Sequence, residues 1–135
     1  MKYLLLLLLL LISTAQASGD GWSDIQRAIV KSNECSSEAK LEELFKLSSA
    51  GKYRGTAQIQ YLSEANEASF LNCPEGFLFV LMQMEEPVQS SVFKHFGIVH
   101  PPWEIGKALR PFENHKLYGE FVIRNFAGFL NAKEP

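Results

Sequence analysis

The sequence predicts an all-α protein, a compact bundle of five to seven short helices carrying one disulfide. Apolar residues recur at helical spacing along most of the chain, which places them on one face of a helix. Proline and glycine fall where helices start and stop, as at Pro74, Pro87, Gly51 and Gly97. No run alternates apolar and polar residues, and no Asn-Gly or Asp-Gly turn joins two such runs; Asp20-Gly21 has no strand before it. No segment repeats at a fixed period.

Residues 1–17 read as a cleavable export signal. Lys2 supplies the positive start, Leu4 to Ile12 an unbroken apolar run, and Ala15-Gln16-Ala17 small residues at the positions a signal peptidase reads. The apolar run is about half of the roughly 20 residues a membrane-spanning helix needs. Cleavage after Ala17 is expected, leaving residues 18–135 as one domain in the periplasm with no stable membrane insertion. Thirteen basic and 15 acidic side chains give −2 overall. With no basic stripe, a nucleic-acid partner is not expected.

The elements follow in order. Asp20 can cap a first helix whose face carries Trp22, Ile25, Ala28 and Ile29, broken at Asn33 and Glu34. Ser36 or Ser37 can cap a second, with Leu41, Leu44, Phe45 and Ser48 at helical spacing. Glu38, Glu42 and Glu43 lie early in it, where negative charge suits the helix dipole, and Gly51 suits its end. A third helix is expected from about Tyr53 to Ala68, with Ile59, Leu62, Ala65 and Asn66 inward. Asn72-Cys73-Pro74-Glu75 starts a fourth. Its segment Phe77–Met82 is apolar all round, as a buried central helix would be. Pro87 opens a short helix carrying Val88, Val92, Phe93 and Phe96, ended by Gly97, with Ile98 packing back on it. His100-Pro101-Pro102 forces an extended joint. Trp103 to Arg110 fits a helix stopped by Pro111. The last helix is expected from about Lys116 to Leu130, with Leu117, Phe121, Ile123, Phe129 and Leu130 apolar and residues 131–135 fraying. Gly119 and Gly128 either weaken it or permit close packing.

Cys35 and Cys73 are the only two cysteines. In an oxidising compartment two thiols are expected to pair; two free thiols, or a bond to another chain, are the alternatives. There is no Cys-x-x-Cys redox motif.

No residue set reaches the standard of a catalytic motif. His95, His100 and Glu104 straddle a helix break, so no metal site is expected of them, and no cofactor motif is present. No serine sits in a Gly-x-Ser-x-Gly elbow. The carboxylate pairs Glu42–Glu43 and Glu85–Glu86 are chain neighbours, which point apart on a helix rather than across a cleft. Most of the ten Phe, four Tyr and two Trp belong to the core. Trp103 is different, because it follows two prolines in the joint 97–103. His95, Phe96, His100 and Trp103 are therefore the expected partner-binding residues. The competing expectation for Trp103 is that it folds back onto its own helix.

Residues 52–76, KYRGTAQIQYLSEANEASFLNCPEG, resemble part of the Rap/Tai-like periplasmic immunity proteins. Tyr53 and Gly55 match a tyrosine and glycine of that family, and Cys73-Pro74 its cysteine-proline before the next helix. The aromatic-rich stretch Phe121–Leu130 and the upstream Cys35 fit loosely, so that about half of residues 18–135 is covered. The chain departs from the family in having no cysteine just before Tyr53 and none at the C-terminus. The resemblance implies a periplasmic inhibitor that binds a toxic cell-wall-degrading effector delivered by type VI secretion, often a peptidoglycan amidase, and blocks its active site. The expected partner is such an effector or another envelope protein, and a homodimer is compatible with the sequence. Two other classes fit the same composition: a small envelope chaperone or structural protein, and a small hydrolase with an unfamiliar site.

Overall fold

The computed structural model describes residues 22–32, 35, 37–51 and 55–135. The expectations that rest on residues 1–17, Asp20, Asn33, Glu34, Ser36 and Tyr53, and on the side chains of Trp22 and Ile29, lie outside what is described. The described residues form seven helices and no strand: α1 (Trp22–Ser32), α2 (Glu38–Ser49), α3 (Thr56–Asn72), α4 (Pro74–Gln83), α5 (Glu86–Phe93), α6 (Pro102–Glu113) and α7 (Gly119–Leu130). None of the described helices is long and apolar enough to cross a membrane.

Helix α1 turns Ile25 and Ala28 inward, and its exposed Asp24 and Arg27 pair at 3.2 Å. Helix α2 buries Leu41, Leu44, Phe45 and Ser48, the set its spacing predicts. Ser37 takes the N-cap position through its carbonyl, which accepts from the N–H groups of Lys40 and Leu41; its hydroxyl makes no capping bond. Gly51 has φ +71°, a conformation that glycine adopts without steric cost and that suits the residue past a helix end.

Helix α3 begins and ends later than its pattern suggests. Gln58 reaches back to accept the N–H of Gly55, which fixes the start near Thr56. The helix continues to Asn72 because Pro74 then opens α4, with Cys73 as the shared hinge. Helix α3 packs on α1, α2, α4 and α6, so almost its whole middle is covered.

Helix α4 is the centre of the core. Phe77, Leu78, Val80 and Leu81 are buried, and only Phe79 of the apolar run faces outward. The ring of Phe77 meets Phe45, Phe70 and Phe96 edge to face, with centroids 4.9, 5.6 and 5.6 Å away. Phe96 continues the series to Phe126 and Phe129 at 5.8 and 6.3 Å. Edge-to-face contacts put the positive rim of one ring on the negative face of the next. They tie α2, α3 and α4 to the last helix through one residue of a loop.

Helices α6 and α7 form a pair of their own, crossing where Gly106 lies against the backbone of Phe129. Arg110 closes the pair by donating from its guanidinium to the carbonyl of Leu130 at 3.2 Å. The segment Cys35–Cys73 is closed by a disulfide, with Cα atoms 5.9 Å apart, and no described cysteine is free.

Four local expectations are corrected. Helix α5 stops at Phe93, and a tighter turn follows in which His95 and Phe96 donate to the carbonyls of Val92 and Phe93. Ile98 stands half exposed instead of packing back on α5. Pro111 lies inside α6, which runs on to Glu113. Pro111 has no N–H to give the carbonyl of Lys107, but both residues are exposed, so the missing bond leaves no buried polar group. The last helix starts at Gly119, not Lys116, and Leu117 and Ile123 point outward. Val122, Phe126 and Leu130, spaced four residues apart, form the inner face with Phe121, and the backbone kinks at Phe126.

Candidate functional site

The four residues expected to meet a partner separate into two environments. His95 and Phe96 are buried, at 8% and 7% exposure. That corrects the expectation for this pair, because a side chain inside the core offers no surface. Phe96 is committed to the aromatic series, and the tight turn after α5 is what carries it inward. His100 and Trp103 remain partly exposed, the first in the joint and the second in the opening turn of α6.

The joint itself is built around a residue the sequence reading did not single out. Glu67 of α3 is completely buried. Its Oε1 accepts the backbone N–H groups of Ile98 at 2.9 Å and Val99 at 3.2 Å. Its Oε2 accepts the backbone N–H of His100 and faces the same residue's ring Nδ1 at 2.8 Å. With the Nδ1–H tautomer the ring is a fourth donor. A buried carboxylate is costly unless hydrogen-bonded on all sides, and this one is satisfied by a single short segment. The ends of that segment are also held. Gly97 has φ +74° and lies against the Phe129 ring, where a Cβ would come within 3.0 Å. Pro101 and Pro102 lead directly into α6, with the Pro101 carbonyl accepting from Glu104 and Ile105. What the loop presents outward is apolar: Ile98 is 50% and Val99 39% exposed.

The signal for Glu67 was present but faint. It follows Asn66 in a helix whose neighbours Ser63, Ala65, Ala68 and Ser69 are all small, and small residues let other chain segments approach a helix closely. Glu67 stands among these small side chains, with Glu64 three residues before it, whereas Glu42 and Glu43 have the long side chains of Lys40 and Lys46 nearby in sequence.

A second polar cluster lies beneath. Asn66 donates to Ser48 Oγ at 2.9 Å and to the Leu62 carbonyl at 2.8 Å, and Ser48 donates to the Leu44 carbonyl at 3.0 Å. His95 belongs to this layer. Burial lowers its pKa from the ordinary 6.5 and Lys94 adds to that, while the carbonyls of Ser48 and Ile59 act the other way. Its Nδ1 has no hydrogen-bond partner. A bare ring nitrogen is an unused lone pair in neutral imidazole, but protonation would turn it into a buried donor with no acceptor.

The sign of the consequence follows. Below 6.5 the unfolded chain takes up a proton at His95 that the folded chain resists. Stability from this residue is therefore full above pH 6.5 and is lost as pH falls toward the lowered folded value. Urea midpoints at pH 7.5 and 5 are expected to differ less in His95→Gln than in the wild type; equal differences would show that His95 does not contribute.

The remaining histidine, His115, is exposed in the turn between α6 and α7. It stacks on Tyr118 at 4.8 Å and accepts the Leu117 N–H on Nδ1. Among the described residues no three of His, Cys, Asp and Glu gather in a way that could hold a metal ion. A groove of about 210 Å³ runs between α1 and α2, and its rim includes Asp24, paired with Arg27, and Lys46, paired with Glu42. Comparison with protein-family models, with curated proteins and with solved structures finds no significant match.

Proposed function

We propose that the protein is an exported protein-binding inhibitor, most concretely an immunity protein that neutralises a cell-wall-degrading effector of the amidase kind delivered by type VI secretion. The observation that carries the binding role is the 97–103 loop. It has an apolar tip, Ile98 and Val99, on a backbone held at both ends and in the middle. Solvent-exposed aliphatic side chains on a preformed loop bind at low entropic cost, since little ordering remains to be done on association. The inhibitory role and the periplasmic setting rest on the export signal read at residues 1–17 and on the resemblance around residues 52–76. The Cys35–Cys73 disulfide is compatible with that setting.

The test is capture with the oxidised protein from envelope extracts and from effectors of competing strains, followed by a hydrolase assay on what is captured. One tight stoichiometric partner whose hydrolase activity is lost on binding supports the reading. Many weak partners enriched in unfolded proteins would replace it with a chaperone, and the absence of any partner would remove it. Against a captured hydrolase, Ile98→Asp is expected to weaken inhibition by about 30-fold or more, as the loss of a central anchor does. Alanine at Trp103 should weaken it further with the fold intact, and alanine at His100 should weaken it while also removing a donor from the buried Glu67 carboxylate. Unchanged inhibition constants across the three variants would move the contact surface elsewhere.

A further inference from the structure

Successive backbone N–H groups that converge on one point make an anion-binding concavity. Ile98, Val99 and His100 form one here, and the anion inside it is a side chain 31 residues away from the first of them. We infer that Glu67 is the positioning residue of the recognition loop: its carboxylate is the resident anion of this concavity and sets the shape in which Ile98 and Val99 are offered to a partner. What the loop is for rests on the reading above; the clamp rests on geometry alone.

The two halves of the arrangement depend on each other. A carboxylate with no solvent contact is tolerated only where donors surround it, and those donors converge only when the loop has this shape. Conversely, two exposed aliphatic side chains in one short loop would gain by folding onto the body of the protein. The inward pull on their N–H groups opposes that collapse. Among the described residues the ion-pairing partner of Glu67 is the His100 ring, itself part of the loop. The carboxylate is therefore spent on this segment, and α3 acts as the post to which the loop is tied. Phe96 and Gly97, packed on the rings of Phe126 and Phe129, fix where the loop leaves the core.

The test reads the loop amides one by one by hydrogen exchange on the oxidised protein. In the wild type, the amides of Ile98, Val99 and His100 are expected to exchange about a hundredfold slower than unprotected loop amides, although the side chains above two of them are exposed. Glu67→Gln keeps the shape of the side chain but removes its charge and half its acceptors. Exchange at those three amides should then speed up by about tenfold or more, the strength of hydrogen bonds to a charged acceptor. The amides of α6 and α7 should keep their rates. In Glu67→Ala, added formate but not chloride should restore protection, because formate supplies the missing carboxylate. Wild-type amides that exchange as an open loop would overturn the clamp, and so would unchanged protection in Glu67→Gln or a loss spread evenly over every helix. If a hydrolase inhibited by the wild type is inhibited equally by a Glu67→Gln protein whose loop has lost protection, the positioning role falls. If the wild type inhibits no hydrolase, the proposed function falls while the exchange rates still decide the clamp.

Discussion

Replacing Gly106 with alanine is expected to destabilise the protein by about 3 kcal/mol or more, although the same change in an open helix would stabilise it by about 1 kcal/mol. The sign turns on one distance. A Cβ built on Gly106 would stand 2.0 Å from the carbonyl oxygen of Phe129 and 2.8 Å from its carbon. The obstacle is backbone, so no rotamer change relieves it; α6 and α7 would have to separate. Separation also stretches the Arg110 bond to the Leu130 carbonyl and withdraws Phe129 from Gly97, so the damage should reach the base of the 97–103 loop. Gly128 is the control, because nothing lies within 4 Å of a Cβ added there. Gly128→Ala should be neutral or stabilising by up to about 1 kcal/mol. Thermal melts of both variants decide the matter. For a chain of this size a loss of about 3 kcal/mol lowers Tm by roughly 10 °C, and a Gly106→Ala protein as stable as the Gly128→Ala protein would mean the helices are not so closely crossed.

Much of this architecture is legible in the sequence. The inner face of α2, the start of α4 at Pro74 and the turns at Gly51 and Gly97 each follow from local chemistry acting within a few residues. The errors arise where tertiary contact overrides the local pattern. Leu117, one turn before Phe121, looks like a core residue, yet the helix starts only at Gly119 and leaves it exposed, while Ile123, two residues after Phe121, falls on the opposite, outward face. Gly119 is needed there because a Cβ would meet the Glu113 carbonyl at 2.7 Å. That is a contact between the end of one helix and the start of the next, which no periodicity encodes.

The site was half legible for the same reason. The joint 97–103 is marked in the sequence by its glycine, its two prolines and its tryptophan. Which side chains face out is decided by Glu67, a residue 31 positions upstream of Ile98 whose role exists only once α3 passes beneath the loop. The same clamp that exposes Ile98 and Val99 accompanies the burial of Phe96 one residue before Gly97. The histidines and aromatics of this stretch read as a surface set, but His95 and Phe96 are buried and only His100 and Trp103 stay partly exposed.

Reduction of the Cys35–Cys73 bond is expected to remove about 3–4 kcal/mol of stability, on the model in which a cross-link restricts the unfolded chain. The figure comes from the 38-residue separation of the two cysteines, and it is a large share of the roughly 5–15 kcal/mol that holds a typical domain together. The location adds to the effect. Cys73 is at once the last cap of α3 and the first of α4, while Cys35 lies buried in the segment that leads into α2. The bond thus ties α2 to the hinge that aims both α4, the centre of the aromatic core, and α3, which carries Glu67. Urea unfolding of the wild type with and without reductant is the cleanest comparison, since no side chain is exchanged for another. The midpoint should fall in reductant, and a Cys35→Ala, Cys73→Ala double variant should unfold near the reduced wild type and ignore reductant. A wild type indifferent to reductant, with its thiols shown to be free, would mean the cross-link adds nothing. The expected loss also bears on the loop: once α3 and α4 are no longer tied to α2, the post that holds Ile98 to His100 is less firmly set. Inhibition of a partner should then weaken in reductant together with amide protection at those three residues.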